Sequence, residues 1–145
     1  MVILTFVLLA FSILETLNII LLYKFPGSKR GNAVGIFKAY EKSREDPLIK
    51  SFVDYLIFWV AGTKLIFVVL IIGIILTGTP EIKVFSIIAL MFSISTFFTR
   101  LYPGLKKMDS DGQITPKGYS RTLAIMIGSF VAVFALALVV FFVTR

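Results

Sequence analysis

Two charged residues interrupt long apolar stretches of this sequence, where their chemistry is that of an ion pair or a protonatable site. Glu15 lies within residues 2–23 and Lys64 within residues 55–76, and both stretches are otherwise predominantly apolar. A lone Lys in the middle of a membrane helix costs ~2.5–3.5 kcal/mol, so it needs a partner. We predict that Glu15 and Lys64 meet, either as a structural pair that fixes helix register or as a gated pair that lines a path for a substrate or ion.

Further polar residues share helix faces with this pair. Ser12 and Asn18 fall on the face of Glu15 at helical spacing, and Asp54 falls on the face of Lys64. Asp54 either binds a Lys of the first loop or marks the entrance to a polar path.

A third stretch carries a stripe of small and polar residues that ends in a cation. The stripe consists of Ser86, Ala89, Ser93, Thr96 and Arg100. It either permits close helix packing with Arg100 as an interfacial anchor, or it is hydrated and ends in an anion-binding cation. The candidate path therefore comprises Glu15, Asn18, Asp54, Lys64, Ser93, Thr96 and Arg100.

Enzyme chemistry finds little support in the composition. The chain has no Cys and no His, which excludes thiol nucleophiles, disulfides and imidazole acid–base catalysis. Phosphate loops and the HExxH and GxSxG motifs are absent. The segment from Asp109 to Thr115 resembles part of an EF-hand loop, but Lys107 and Gly118 would occupy two essential ligand positions. We predict no catalytic residue, no metal site and no cofactor.

The elements that position these residues are membrane spans. Of the 145 residues 58% are hydrophobic, and the mean hydropathy is +0.96, which exceeds what a soluble fold of this size can bury. We predict one all-α transmembrane domain, a four-helix bundle with spans at about residues 2–23, 52–77, 81–101 and 120–143. Asp46-Pro47 and Thr79-Pro80 read as helix starts, and Tyr102-Pro103-Gly104 reads as a helix stop.

Charge asymmetry predicts the orientation of these spans. Basic residues concentrate in the loops 24–51 and 102–119, so we predict that both loops are cytoplasmic and that both termini are outside. In the first loop Asn32 is placed to cap a short amphipathic helix at the head-group level, with Val34, Phe37 and Tyr40 on one side. The excess positive charge predicts contact with anionic lipids rather than nucleic acid. The candidate head-group contacts are Lys29, Arg30, Lys38, Lys106 and Lys107.

The fourth span has a row of small residues, Ala124, Gly128 and Ala132, which predicts a packing face within the bundle or between protomers. Four spans with Glu15 inside the first resemble the small multidrug resistance transporters. The resemblance covers one helix, and the long basic first loop and the charged second span depart from it.

Two functions remain open. The first is a transporter or channel, working as a homo-oligomer in the plasma (inner) membrane, with a polar path near Glu15 and Lys64. The second is a non-catalytic scaffold or accessory subunit, whose basic face binds anionic lipid or a membrane partner protein.

Overall fold

The regular elements among the residues that the structure describes are all helices. A computed structural model describes residues 2–144. The helices are α1 (Val2–Lys24), α2 (Lys38–Lys42), α3 (Pro47–Thr77), α4 (Pro80–Thr96), α5 (Tyr102–Ser110) and α6 (Tyr119–Val143), with a 3₁₀ turn at Val34–Ile36 and a π-helical turn at Phe97–Leu101. Four segments are long and apolar enough to cross a membrane: α1, α3, the continuous run from α4 to α5, and α6. These segments indicate a membrane protein with a helical bundle.

The first helix is the centre of the bundle. It packs against α3, α4 and α6, whereas the consecutive helices α3 and α4 touch each other little. In its most apolar part 39% of the residues are buried, against 17–22% for the other three candidate spans. Leu4 and Leu8 of α1 are fully buried, and Phe11 packs edge-to-face against Phe130 and Phe134 of α6.

Two predicted helix starts are confirmed. Asp46 Oδ1 accepts hydrogen bonds from the backbone N–H groups of Leu48 (2.8 Å) and Ile49 (3.3 Å) at the start of α3. Thr79 Oγ1 accepts one from Ile82 at the start of α4. In each helix a Pro follows the cap, where the missing N–H leaves no intrahelical bond unmade. Both starts are therefore explained by local chemistry.

The predicted stop at Tyr102-Pro103-Gly104 is wrong, because helical backbone continues from α4 through the π-helical turn into α5 and ends at Ser110. Pro103 lies in the first turn of α5, where a missing N–H is tolerated. The wider turn before it lets the chain pass the proline without ending the helix. The loop before α6 is therefore shorter than predicted and spans residues 111–118.

The first loop and the loop before α6 are joined at one end of the bundle. Lys38 N donates to Gln113 O at 2.9 Å, and Thr115 N donates to Ile36 O at 2.8 Å. Beneath these bonds lies an apolar cluster formed by Ile36, Leu105, Ile114 and Leu123. The connection between α3 and α4 is at the opposite end, as expected for a bundle whose consecutive spans run in opposite directions.

The first loop is less helical than predicted. Instead of one amphipathic helix it has the 3₁₀ turn and the five-residue α2, separated by Phe37 in an extended conformation. The predicted cap at Asn32 is wrong: Ala33 occupies the cap position of the 3₁₀ turn, and no side chain caps it. The pairing of Phe37 with Ile114 explains the break, because an extended residue is needed for that bridge.

Candidate functional site

The centre of the site is a cluster of three polar side chains between α1 and α3. Lys64 Nζ donates hydrogen bonds to Glu15 Oε2 at 2.5 Å and to Asn18 Oδ1 at 2.8 Å. Glu15 and Asn18 are three residues apart on α1, so both face α3. About a quarter of each charged side chain is exposed, 25% for Lys64 and 23% for Glu15. The contact between Glu15 and Lys64 was therefore predicted from the sequence, whereas the second acceptor that Asn18 supplies was not.

Two cavities lie on either side of Lys64 along α3. The first, which we call the α4 cavity, has a volume of about 260 Å³ and is lined by Glu15, Thr63, Lys64 and Ser93 among mainly apolar side chains. The second, the loop cavity, has a volume of about 360 Å³ and is lined by Asn32 and Val34 of the first loop and by Val60 and Lys64 of α3. Lys64 is the residue that both linings share, so its side chain lies where the two cavities adjoin.

A groove between α1 and α6, which we call the α6 groove, begins at the other side of the cluster. It consists of two cavities of about 200 and 340 Å³ that share Leu14, Met126 and Phe130. Its end nearest the cluster is lined by Glu15, Asn18, Gly31 and Asn32. Glu15 therefore faces both this groove and the α4 cavity.

Asp54 is bound by the first loop and not by the Lys64 cluster. Arg44 forms a two-pronged ion pair with it, with nitrogen–oxygen distances of 2.6 and 3.1 Å. The Arg44 guanidinium also lies 4.2 Å from the centre of the Tyr40 ring. The hydrogen bonds to Asp54 raise the pKa of Arg44 above its ordinary value. The partner is thus an Arg of the first loop rather than the expected Lys, and its planar fork suits a carboxylate.

The stripe on the third span divides between the site and the surface. Ser93 lines the α4 cavity. Thr96 is not among the residues that line this cavity, and its hydroxyl donates to the backbone oxygen of Ser93 at 2.6 Å. Arg100 is exposed in the π-helical turn, and within residues 2–144 its side chain makes no hydrogen bond or ion pair.

A buried cation at the opposite end of the bundle was missed by the sequence reasoning. Lys83 of α4 is only 5% exposed, and its Nζ donates to Thr5 Oγ1 of α1 at 3.0 Å. Lys83 is not among the site residues expected from the sequence. Its place one turn inside α4, fixed by the Thr79-Pro80 start, was the signal that could have found it.

The remaining predicted residues lie away from the cluster. The five candidate head-group contacts, Lys29, Arg30, Lys38, Lys106 and Lys107, are all exposed. In the small-residue row Gly128 faces the π-helical turn within the bundle, because a Cβ placed on it would lie 3.8 Å from the Phe98 ring. Ala124 is half-buried and Ala132 is exposed.

Comparison of the chain with protein-family models, with curated proteins and with solved structures finds no match.

Proposed function

We propose that this protein is a small transporter of amphiphilic solutes, in which the Lys64–Glu15 pair is the gate between the α4 cavity and the loop cavity. One observation carries the proposal: Lys64 lines both cavities, which lie on opposite sides of it along α3. Moving this side chain joins the two cavities. Breaking the pair costs free energy unless a substrate group replaces one partner, because a buried charge without a partner is unfavourable.

The chemistry of the cavity walls favours an amphiphilic solute over a hydrated ion. Around the pair the α4 cavity is lined by apolar residues such as Phe67, Val68 and Leu90. A hydrated ion would lose water here and gain few polar ligands in return, because most of the lining is apolar and Glu15 and Lys64 already bind each other. A solute with an apolar body and one polar or charged group would bury its body against these walls and offer its polar group to Glu15 or Lys64.

We also propose the membrane orientation that the charge pattern predicts. The termini are outside, the two basic loops are cytoplasmic, and the short helical segment of the first loop lies at the head-group level of the plasma (inner) membrane. Phe67 and Ser93 line the α4 cavity and are exposed on the outside of the bundle. A homo-oligomer would close this cavity against the surrounding lipid.

Thiol labelling tests the proposal, because the chain has no native Cys. Ser93→Cys introduces a thiol into the α4 cavity, and Ser129→Cys introduces one into the apolar α6 groove as a matched control. We expect a small membrane-impermeant thiol reagent to label Ser93→Cys about tenfold faster than Ser129→Cys. Equal protection of both thiols would contradict a path beside Lys64.

A second experiment tests the gate itself. Val60→Cys introduces a thiol into the loop cavity, four residues before Lys64. With Lys64 intact, we expect Ser93→Cys and Val60→Cys to be labelled from opposite sides of the membrane. In the Lys64→Met background each should become accessible from both sides. Unchanged sidedness in that background would assign the pair a purely structural role.

The scaffold function is favoured by a different observation, the exposure of the basic residues on the two joined loops. It predicts that neutralising Lys106 and Lys107 together abolishes binding to anionic vesicles but leaves thiol labelling of Ser93→Cys unchanged. A gate at Lys64 predicts that Ser93→Cys labelling responds to Lys64→Met regardless of these lysines.

A further inference from the structure

The side-chain amide of Asn18 is buried, with its oxygen hydrogen-bonded to Lys64 and its NH₂ group unpaired. Asn18 is 9% exposed, and its Nδ2 atom has no acceptor within residues 2–144. A buried donor without a partner costs ~1–3 kcal/mol, so its persistence points to a ligand that completes it.

The orientation of this amide is determined by Lys64. An ammonium group has three donors and no acceptor, so the Asn18 oxygen must face it, as the 2.8 Å bond shows. The NH₂ group then faces away from Lys64. A Cβ placed on Gly31 would lie 3.9 Å from Nδ2, so the unused donor is beside the polar end of the α6 groove. Turning the amide over would place two sets of donors against each other.

The rest of the α6 groove is long and lined mainly by apolar residues. On α1 it extends from Asn18 to Phe6, or about 18 Å at ~1.5 Å per residue. One leaflet of a ~30 Å hydrocarbon core is ~15 Å thick. The groove thus matches the length of an acyl or isoprenoid chain. The Ser129 hydroxyl is already bonded to the backbone oxygen of Ile125, so it does not compete for a ligand.

Two cations, Lys29 and Arg30, directly precede the polar end of the groove in the sequence, and we call them the positive rim. Gly31 and Asn32 line this end, and Arg30, the residue before them, is exposed. Lys29 is also exposed and lies 3.8 Å from Glu41, a distance that leaves most of its donors available. This rim belongs to the basic loop expected to be at the lipid head-group level, where a phosphate would meet both cations.

We infer that the α6 groove is a specific binding site for one chain of an anionic glycerolipid, with an oxygen of the chain–glycerol linkage accepting a hydrogen bond from Asn18 Nδ2. The phosphate of the same lipid faces Lys29 and Arg30. The linkage oxygen is an ester carbonyl or an ether oxygen, which share the acceptor chemistry. A lipid bound here does not depend on transport through the cavities beside Lys64.

A photo-crosslinking experiment on the full chain tests this site. The protein is reconstituted into phosphatidylcholine vesicles containing a small amount of phosphatidylglycerol with a diazirine in one chain, as an ester-linked or an ether-linked form. We expect crosslinks to concentrate on α1 and α6. The linkage form that crosslinks more strongly identifies the acceptor as an ester carbonyl or an ether oxygen. Crosslinks spread evenly over the four spans would overturn the inference, as would equal labelling by a diazirine phosphatidylcholine.

Matched substitutions separate this groove from other apolar surfaces. Ala10→Phe fills the α6 groove, and Ala89→Phe fills a different groove between α3 and α4. Neither residue lines a cavity that Lys64 also lines. We expect Ala10→Phe to lower the crosslinking of α1 and α6 about tenfold and Ala89→Phe to leave it unchanged. Equal crosslinking in both variants would contradict the site, and the wild-type crosslink map tests it even if Ala10→Phe fails to fold.

A variant at Asn18 tests the donor. Asn18→Asp keeps an acceptor for Lys64 but replaces the free NH₂ group with an oxygen. We expect it to weaken phosphatidylglycerol crosslinking to α1 and α6 about tenfold. Unchanged crosslinking in Asn18→Asp would show that Nδ2 does not hold the lipid.

Discussion

Lys64 and Glu15 are bonded across the α1–α3 contact although 49 residues separate them in the chain. Each is the other's charged partner inside a bundle whose surroundings are apolar. Asn18 supplies a second oxygen to the same ammonium group, which disperses its charge over two acceptors. The cost of placing Lys64 within an apolar helix is thereby offset.

Removing either charge should destabilise the protein more than removing both. We expect Glu15→Gln or Lys64→Met alone to lower the free energy of unfolding by about 2–4 kcal/mol, because each leaves a partly buried charge unpaired. The double variant should lose less than either single variant, because it leaves neither charge unpaired. Denaturant unfolding in detergent micelles measures this, and additive losses would mean that the two residues act independently.

The Arg44–Asp54 pair should depend on the shape of the guanidinium and not only on its charge. We expect Arg44→Lys to lower the free energy of unfolding by about 1 kcal/mol, because an ammonium cannot make both bonds to the carboxylate. Lys38→Ala, at an exposed residue of the same loop, serves as the control. A thermal shift in Arg44→Lys no larger than that of Lys38→Ala would disprove the expectation.

Asp109 should be essential for attaching α6 to α5. Its two oxygens accept from Gly118 N at 2.8 Å and from Ser120 N and Oγ at 2.9 and 2.6 Å, and the residue is buried. We expect Asp109→Ala to cost about 2–3 kcal/mol, because it leaves the buried N–H and hydroxyl of Ser120 without their acceptor. Exposed Asp111 provides the matched control in Asp111→Ala. Similar melting temperatures for the two variants would refute this role.

Two glycines should respond in opposite directions to the same substitution. A Cβ on Gly35 would overlap the carbonyl group of Gly27 and lie 2.7 Å from Ser28 O. We therefore expect Gly35→Ala to destabilise the first loop by about 1–3 kcal/mol. Gly73 lies inside α3, and a Cβ placed on it would have no neighbour within 4 Å. Gly73→Ala should therefore raise the free energy of unfolding by about 0.5–1 kcal/mol. Limited proteolysis of the first loop and thermal unfolding measure the two effects.

The orientation in the membrane is tested by thiols at opposite ends of the bundle. Lys29→Cys lies in the first loop, and Thr77→Cys lies at the other end of α3; both residues are exposed. In intact cells we expect an impermeant thiol reagent to label Thr77→Cys, and to label Lys29→Cys only after permeabilisation. The reverse pattern would place the basic loops outside.

Helix starts were predictable from sequence because their causes are local. Asp46-Pro47 and Thr79-Pro80 each combine a side-chain acceptor with a residue that needs no N–H partner, and neither depends on the rest of the fold. The predicted stop at Tyr102-Pro103-Gly104 was wrong because proline is accepted in two places. It fits the first turn of a new helix as well as the residues just after the end of an old one. The π-helical turn that decides between these outcomes has no short sequence signature.

Packing partners were much harder to predict. The spans are apolar on nearly all sides, so periodicity does not say which face is buried. The central place of α1 and the exposure of Thr96 and Arg100 follow from contacts between helices far apart in sequence. The Glu15–Lys64 contact was the exception, because two opposite charges in apolar surroundings constrain each other strongly.

The central position of α1 has a consequence for how the protein is made. At ~5–20 residues per second, Lys64 is synthesised roughly 2–10 s after Glu15. During that interval the first helix carries an acidic side chain without its cation, and the surfaces that α3, α4 and α6 will cover are still open. Assembly therefore proceeds by recruitment of later spans onto the first. A nascent chain arrested before Lys64 should be degraded faster than one arrested after α3, which pulse-chase measurements would reveal.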